Sequence, residues 1–361
     1  MRYERANVQR MSGYAPGEQP ASRDVVKLNT NESPYPPSPR ALEALASVSA
    51  EALRRYPDPR ADGLRDAIAG VHGLSREHVL VTNGGDELLR LLITTFVEVG
   101  SPVGVTTPSY SLYPVLAEIH GSPVASVSLE DDFGLPEGLA RGWNEAGARL
   151  GFIVDPHAPS GALVPLERVA RLADAFRGVL VVDEAYVDFV DPERAHSLIE
   201  LVRTRPNVVL LRTFSKGYGL AGLRCGYGLG APGLIAPMLD KTKDSYNVDA
   251  VTQPVATAAI LDQAYARETW ARVRGDRATL TAELRSLGFE VPDSQTNFVL
   301  ARIHARAHGV SAKSIYELLK ARHLYVRWFD QDRLRDRLRI TVGTADQNAR
   351  LVAALRELLD A

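Results

Sequence analysis

Apolar runs and amphipathic stretches alternate along the chain from about residue 63 onwards. The apolar runs, rich in β-branched residues, lie at 79–82, 103–106, 150–155, 179–183 and 207–211. Between several of them are stretches with helical spacing, such as DELLRLLITTFVEV and LERVARLADAF. Strands that are apolar on both faces and alternate with helices are typical of a doubly wound, mostly parallel sheet. We therefore predict a large α/β domain over residues 41–249.

The two ends of the chain have a different character. Residues 31–40, NESPYPPSPR, favour an extended arm, because proline fixes its own φ and restricts the residue before it. Helical spacing follows over ALEALASVSAEALRRY. After about residue 250, Arg-rich helical stretches flank the strand-like segments FVLARI, YVRWF and RLRITVG. These patterns predict an N-terminal arm over residues 1–40 and a smaller α+β domain over residues 250–361, which the arm helps to complete.

The overall charge and the start of the chain exclude several classes of partner. The formal net charge is -2, so there is no general attraction to nucleic acid or to an anionic membrane. The N-terminus, MRYERANVQRM, lacks the apolar run of a signal peptide. No stretch approaches the ~18 uninterrupted apolar residues of a membrane span. We predict a soluble cytoplasmic protein with neither a nucleic-acid nor a membrane partner.

Few residues are available for a metal site. The chain has one cysteine, Cys225, and eight histidines. His304 and His308 have i, i+4 spacing, but HARAH lacks the glutamate of a zinc-protease helix. A solvated helix face is the simpler interpretation of that pair, and we predict no metal.

Polar residues follow the predicted strands at the edge where open parallel sheets bind their ligands. These segments are Asn83-Gly-Gly-Asp-Glu, Pro108-Ser-Tyr, Asp155-Pro-His-Ala-Pro-Ser-Gly, Asp183-Glu-Ala-Tyr and Thr213-Phe-Ser-Lys. Lys216 is the only lysine of the chain at such a position. Any chemistry that needs an amine at this edge must therefore use Lys216.

The segment TFSKGYGLAGLRCGYG, residues 213–228, supports two interpretations. Gly217 to Gly222 fits G-x-G-x-x-G, the pattern of an NAD-binding turn. That turn needs its first glycine directly after a strand and a helix that opens beneath the pyrophosphate. Here TFSK intervenes, and LRCGYGLGAPG is typical of a strand and a turn. An NAD-binding oxidoreductase is therefore the weaker alternative.

A lysine that holds a carbonyl cofactor explains more of these residues. Pyridoxal 5'-phosphate needs an acid for its ring nitrogen, a donor for its phenolic oxygen, a phosphate cradle and a ring to stack on. The candidates are Asp183 for the nitrogen, Tyr186 for the phenolic oxygen, Gly84, Gly85, Asp86, Ser215 and Arg224 for the phosphate, and Tyr110 for stacking. A helix cap and a packed core tyrosine are the simpler roles for Asp183 and Tyr186. Together, however, the set specifies one cofactor.

Nearly the whole chain resembles the fold-type-I enzymes that use pyridoxal phosphate, and within them the histidinol-phosphate aminotransferase family. The matching motifs are LNTNESPY from Leu28, RYPD from Arg55, NGGDE from Asn83, PSYSLY from Pro108, DEAY from Asp183, RTFSK from Arg212, LAGLRCGY from Leu220, DSYNV from Asp244, TNF from Thr296 and LRITVG from Leu338. The lysine-to-arginine motif specifies the cofactor class, and RYPD and DSYNV point to this family.

The resemblance implies a role for each matching residue. Lys216 would hold the cofactor covalently, Asp183 would pair with its ring nitrogen, and Tyr186 would donate to its phenolic oxygen. The phosphate would be held by Gly84, Gly85, Asp86, Thr213, Ser215 and Arg224, with Tyr110 stacked on the ring. Tyr56 would reach the phosphate of the partner subunit in a homodimer. Arg339 would bind the carboxylate or phosphate of the substrate, with Arg327 and Asn31 nearby.

One position departs from the family pattern. The family commonly has Asn-Pro-x-Asn-Pro-Thr-Gly where this chain has Asp155-Pro-His-Ala-Pro-Ser-Gly, so Ala158 replaces a donor to the phenolic oxygen. Without that donor, we expect the lysine–cofactor imine to stay protonated to higher pH than is usual, unless His157 swings in to compensate. A pH titration of the visible absorption of the wild type and of Ala158→Asn tests this. Indistinguishable midpoints would contradict it.

The resemblance implies amino-group transfer from histidinol phosphate or glutamate to a keto acid such as 2-oxoglutarate. Three alternatives remain open. Trp328, Phe329 and Tyr35 could line an apolar pocket for aromatic amino acids. A phospho-amino-acid decarboxylase uses the same scaffold. A regulator that senses the cofactor would ordinarily carry an added DNA-binding domain, for which there is no room before the first motif.

Overall fold

The computed structural model describes residues 2–22, 24–304 and 309–360. Its strands are β1 (Val26–Lys27), β2 (Val79–Thr82), β3 (Val103–Thr107), β4 (Val124–Ser128), β5 (Leu150–Val154), β6 (Val179–Asp183), β7 (Val208–Thr213), β8 (Gly226–Gly230), β9 (Phe298–Arg302), β10 (Leu324–Tyr325), β11 (Arg327–Trp328) and β12 (Arg337–Thr341). Its α-helices are α1 (Ala6–Arg10), α2 (Pro39–Ala46), α3 (Ala50–Leu53), α4 (Asp62–His72), α5 (Gly84–Phe96), α6 (Leu112–His120), α7 (Leu139–Glu145), α8 (Leu166–Ala175), α9 (Ile199–Thr204), α10 (Pro232–Pro237), α11 (Thr252–Leu261), α12 (Gln263–Ser286), α13 (Ala312–Ala321) and α14 (Ala345–Leu359).

Seven strands form the large sheet, in the order β2-β8-β7-β6-β5-β3-β4. The pairs from β4 to β7 are parallel, whereas β8 runs antiparallel to both β7 and β2. This confirms the predicted α/β class with a mostly parallel sheet. The predicted strands were found, but β4 was not predicted. It is an edge strand whose side chains alternate between exposed and half-buried, so it lacks the apolar run that marks the central strands.

The N-terminal arm pairs with the C-terminal part of the chain. β1 pairs with β10 in parallel, and the Thr341 N–H donates to the Leu28 carbonyl at 2.9 Å. β11, β12 and β9 form a separate antiparallel sheet. The arm therefore lies against β10 and against β12, which carries the predicted substrate residue Arg339. The division of the chain into three parts stays a prediction.

The helical stretch that follows the arm consists of two short helices rather than one. α2 ends at Ala46, and α3 begins at Ala50. The Ser38 and Ser49 side chains accept hydrogen bonds from the Ala41 and Ala52 N–H groups, respectively. Serine at these positions stabilises a helix N-terminus, so Ser49 starts a new helix within the predicted one.

Two paired glycines make room for the largest buried side chain. Trp143 of α7 is fully buried, and its indole lies on Gly104 of β3 and Gly151 of β5, which are register partners. A Cβ on Gly104 would lie 2.7 Å from the indole, and one on Gly151 would also collide with it. The glycines thus let α7 pack directly against the sheet.

Gly151→Ala is expected to lower the free energy of unfolding by about 1–3 kcal/mol, because the added methyl overpacks a rigid interior. Chemical denaturation measures the change. Gly70→Ala is the matched control, since the same methyl at exposed Gly70 of α4 meets nothing within 4 Å and improves helix propensity. Equal effects of the two substitutions would contradict the packing argument.

Candidate active site

A pocket of about 620 Å³ opens at the carboxyl ends of β5, β6 and β7. The arm and the strands β11 and β12 also contribute to its wall. The structure brings most of the predicted site residues into this lining: Asn31, Gly85, Asp86, Tyr110, Asp183, Tyr186, Thr213, Ser215, Lys216, Arg224, Arg327 and Arg339. Residues separated by up to 308 positions thus share one cavity.

Lys216 follows β7 and projects its amine into the pocket. Its Nζ donates to the Thr30 carbonyl at 3.0 Å and lies 5.9 Å from the centroid of the Tyr186 ring. Burial, and then the positive charge of Arg339, lower the pKa of Lys216 to about 8. The amine therefore reaches its neutral, nucleophilic form closer to neutral pH than an exposed lysine does.

Asp183 is the last residue of β6 and is buried. Its Oδ2 accepts from the Tyr113 hydroxyl at 2.8 Å, and its Oδ1 accepts from the Ala185 N–H at 3.0 Å. Burial raises the pKa of Asp183 to about 6, and the bonds from Tyr113 and Ala185 oppose that rise. A buried carboxylate held in this way can pair with a protonated ring nitrogen.

Tyr113 was not predicted as a functional residue, although it lies in the quoted motif PSYSLY. It lies in α6, is fully buried, and stacks on Phe152 with ring centroids 4.7 Å apart. Its place in the apolar helical segment LYPVLAEIH gives no sign of a role at the site. Only the structure shows that its hydroxyl reaches Asp183.

Tyr113→Phe is expected to raise the pKa of Asp183 further by about one unit, because a hydrogen bond to the charged form is lost while the stacked ring remains. If cofactor binding depends on the Asp183 anion, the cofactor affinity should fall as the pH is lowered. In the variant this fall should begin at a higher pH than in the wild type. The measurement is cofactor affinity against pH. Tyr227→Phe, which removes a buried hydroxyl that contacts His72 instead, is the control and should not move the midpoint.

The start of α5 has the features of a phosphate cradle. α5 begins at Gly84, which has φ of 75°, and no side chain caps its first turn. A Cβ on Gly84 would lie 2.6 Å from Nη2 of Arg224, so only glycine lets the guanidinium lie there. Nη1 of Arg224 also approaches the Ser215 hydroxyl at 3.4 Å. Free helix N–H groups beside a guanidinium and a hydroxyl favour a phosphate.

These contacts test whether pyridoxal phosphate fits. The pocket offers an amine with a lowered pKa, a buried carboxylate, and an uncapped helix start that a glycine keeps open to Arg224. Tyr110 lies in the wall beside them, with its ring edge-on to Tyr14 at 5.8 Å. The donors and acceptors match the groups of this cofactor, so the residues fit it.

Ala158 lines the pocket and presents only a methyl group. The neighbouring His157 is buried and occupied elsewhere: its Nε2 lies 3.0 Å from the Pro108 carbonyl, and its Nδ1 lies 2.7 Å from the Ser160 hydroxyl. Swinging into the pocket would break both bonds. The structure therefore gives no support to the expectation that His157 replaces the missing donor.

Two arginines face the pocket from adjacent strands. Arg327 of β11 is the register partner of Arg339 of β12. Both guanidiniums lie over the Phe329 ring, at 5.3 and 5.5 Å from its centroid. Nη2 of Arg339 donates to the Asn29 carbonyl at 2.8 Å, whereas its buried Nε has no hydrogen-bond partner. This end of the pocket is suited to an anion.

The three aromatic residues proposed for an apolar pocket do not come together. Phe329 lines the pocket, but the guanidiniums of Arg327 and Arg339 both lie over its ring. The Trp328 indole donates to the Arg335 carbonyl, and the Tyr35 hydroxyl donates to Asp276 at 2.5 Å. Neither of these two side chains is part of the pocket wall.

The glycine pattern does not form a dinucleotide-binding turn. Gly217 to Gly222 leads into a 3₁₀ turn, Ala221–Leu223, and then into strand β8, so no helix opens beneath it. The segment instead places Lys216 and Arg224 on the same pocket. This removes the structural basis of the NAD interpretation.

Other predictions concern residues away from the pocket. Tyr56 does not line it; its exposed ring stacks on Tyr246 with centroids 4.4 Å apart.

The two histidines considered as metal ligands also lie away from the pocket or outside the described residues. His304 contacts Glu290 at 3.1 Å, and His308 lies outside the described residues. Over residues 2–22, 24–304 and 309–360, no group of three or more His, Cys, Asp or Glu side chains could hold a metal ion. Within the same ranges, none of the helices has the length and apolar character needed to cross a membrane.

Comparison with known proteins agrees with this geometry. The family described as aminotransferase class I and II matches residues 23–355. Histidinol-phosphate aminotransferase 1 of Trichormus variabilis is 44% identical over 99% of both chains, and the histidinol-phosphate aminotransferase of Citrifermentans bemidjiense is 42% identical over 98% of both. The crystal structure of Sinorhizobium meliloti histidinol-phosphate aminotransferase in complex with pyridoxal-5'-phosphate has a TM-score of 0.86 and 30% identity, covering 94% of this chain and 92% of that one. This chain belongs to the class I and II aminotransferases.

Proposed function

We propose that this aminotransferase takes its amino group from histidinol phosphate and passes it to a keto acid such as 2-oxoglutarate. The relatives described above carry the name of that donor. The observation that carries the proposal is the pair Arg327 and Arg339 at one end of the pocket. Two guanidiniums on directly opposed residues repel each other, so the pair is best satisfied when an anionic group lies between them.

The cofactor is pyridoxal phosphate, which when bound supplies a ring that accepts the electron pair left on the substrate carbon. Lys216 would hold it covalently, and the Nζ of Lys216 would move a proton from the substrate α-carbon. Asp183 is proposed to keep the ring nitrogen protonated, and Tyr186 to donate to the phenolic oxygen. The phosphate would be held by the start of α5 with Thr213, Ser215 and Arg224.

A homodimer is part of the proposal, with Tyr56 completing the phosphate site of the partner subunit. Tyr56 is 80% exposed, although stacked on Tyr246, and two apolar side chains nearby in the chain, Leu45 and Leu53, are also exposed. An exposed aromatic pair beside apolar side chains favours burial against another protein surface. Sedimentation of the purified protein tests the assembly. A cofactor titration of the wild type and of Tyr56→Phe tests the contribution of the Tyr56 hydroxyl to cofactor affinity. The cytoplasmic location stays a prediction.

A single-turnover titration tests the donor. The visible spectrum of the loaded protein is followed while histidinol phosphate, histidinol, phenylalanine or glutamate is added separately. We expect histidinol phosphate to convert the cofactor spectrum to that of the amino form, and 2-oxoglutarate to reverse this change. Histidinol, which lacks the phosphate, should cause a much smaller change. Conversion by phenylalanine alone would move the assignment to aromatic donors, and release of carbon dioxide from a phospho-amino acid would move it to decarboxylation.

Arg327→Gln sharpens that titration, because it removes one of the paired cations. We expect the variant to need a larger increase in the concentration of histidinol phosphate than of histidinol for the same conversion of the cofactor spectrum. Arg335→Gln is the matched control: Arg335 is exposed and pairs with Asp330 and Asp332 outside the pocket.

A further inference from the structure

Asn31 has an unusual backbone and is almost completely enclosed. Its φ is 57°, in the left-handed region, and the residue is 1% exposed. Non-glycine residues are uncommon in this region, where asparagine is the best tolerated, and buried examples persist when surrounding contacts hold them there. Such positions cluster at functional sites, so the contacts of Asn31 indicate what the conformation serves.

Hydrogen bonds hold Asn31 on both its backbone and its side chain. Its N–H donates to Oγ1 of Thr341 at 3.0 Å, and its carbonyl accepts from Nδ2 of Asn297 at 3.0 Å. Its side-chain Oδ1 lies 3.0 Å from Oγ1 of Thr341, and its Nδ2 lies 2.9 Å from the Tyr186 hydroxyl. The amide of Asn31 thus connects Thr341 to Tyr186.

The direction of these bonds follows from Thr341. Its buried hydroxyl already accepts the Asn31 N–H, and its own proton needs an acceptor, which Oδ1 of Asn31 provides. With Oδ1 used in this way, the amide presents Nδ2 to Tyr186. The Tyr186 oxygen therefore accepts, and its O–H proton is left to point elsewhere.

We propose that Asn31 is a positioning residue: by donating to the Tyr186 oxygen, it directs the Tyr186 hydroxyl proton into the pocket, toward a phenolic oxygen that the bound cofactor would present. This assigns Asn31 a role different from the substrate contact expected from the sequence. The role matters in this chain because Ala158 supplies no second donor. The inference rests on the proposed role of Tyr186, and its test separates the two.

The charged and titratable groups around Tyr186 are consistent with a hydroxyl that donates. Those facing it are Tyr14 on the arm, Tyr110 before α6, Tyr113 in α6, Asp183 on β6, Lys216 after β7 and Arg339 on β12. Burial raises the pKa of Tyr186, while Arg339 and the Asn31 bond lower it. The hydroxyl therefore keeps its proton at neutral pH.

The experiment is a double-mutant cycle on the loaded protein, with the midpoint of the pH-dependent visible absorption change as the readout. A donor to the phenolic oxygen favours the form without the imine proton, so Tyr186→Phe should raise the midpoint by about one pH unit. Asn31→Gly, which tolerates the same φ, should raise it by part of that amount. In the Tyr186→Phe background, Asn31→Gly should have no further effect.

Two more variants guard against a general structural effect. Thr341→Val keeps Asn31 itself but removes the hydroxyl that orients its amide and accepts its N–H, and it should raise the midpoint in the same Tyr186-dependent way. Asn348→Asp is the control. The side chain of this buried asparagine accepts from the Gly343 N–H and donates to the Gly343 carbonyl, away from Tyr186. The midpoint of the absorption change should therefore be the same as in the wild type. If Asn31→Gly cannot be folded, Thr341→Val in both backgrounds answers the same question.

The outcomes are distinct. A midpoint that Tyr186→Phe leaves unchanged refutes the proposed role of Tyr186, and the inference with it. If Tyr186→Phe moves the midpoint but neither Asn31→Gly nor Thr341→Val does, the role inferred for Asn31 is overturned, whereas the role proposed for Tyr186 stands. Equal shifts by Asn31→Gly with and without the Tyr186 hydroxyl also overturn it, because Asn31 would then act on the cofactor by another route.

Discussion

Lys216→Ala is expected to abolish turnover while the protein still folds and binds its cofactor non-covalently. Removing a positioned base alone costs about 10²–10⁴ in rate. The loss should exceed this, because the same side chain is proposed to attach the cofactor. Its amine has a pKa lowered to about 8 by burial and by Arg339, so alanine removes a group that gives up its proton more readily than an exposed lysine does.

Two measurements and a control variant check this result. Borohydride reduction followed by mass spectrometry should locate the covalent bond on Lys216 in the wild type and find none in the variant. A small primary amine in the buffer should restore part of the proton transfer. Lys320→Ala is the control, since Lys320 is a surface residue paired with Glu18. Appreciable transamination by Lys216→Ala without added amine would refute the assignment.

Asp183→Asn is expected to lower kcat by roughly 10²–10³, the loss seen when one preorganised electrostatic partner is removed from a site. Asparagine keeps the size of the side chain, and its amide can still accept from Tyr113. It cannot carry the negative charge that would hold a proton on the ring nitrogen. The ring should then accept electrons less readily, while the fold and the phosphate cradle remain.

The pH dependence gives this prediction a second test. The pKa of Asp183 is raised to about 6 in the protein, so in the cofactor-free form its anion is lost as the pH falls through about 6. Cofactor affinity in the wild type should decline through the same range, and in Asp183→Asn the decline should disappear. Glu184→Gln serves as the control for buried charge, because Glu184 pairs with Arg212 at 2.8 Å instead. An unchanged pH profile in Asp183→Asn would contradict the assignment.

The fold class could be predicted because the central strands carry their own signal. A strand such as Val179–Asp183 is buried on both faces, and its sequence VLVVD shows this directly. The edge strand β4 carries no such signal, because half of its surface faces solvent. Ser49 was equally hard to foresee, since a serine within a helical pattern is compatible with either a continuous helix or a new helix start.

The sequence alone determined the chemical class of this protein. A lysine after a strand, an aspartate at the end of another strand and glycines after a third are local features, and parallel topology brings strand ends together. Only the tertiary structure decided how these groups are supported. Tyr113 reaches Asp183 from a helix that looks apolar, and Asn31, on the arm, reaches Tyr186 from 155 residues away. Such contacts depend on packing between distant segments, and no local pattern along the chain encodes them.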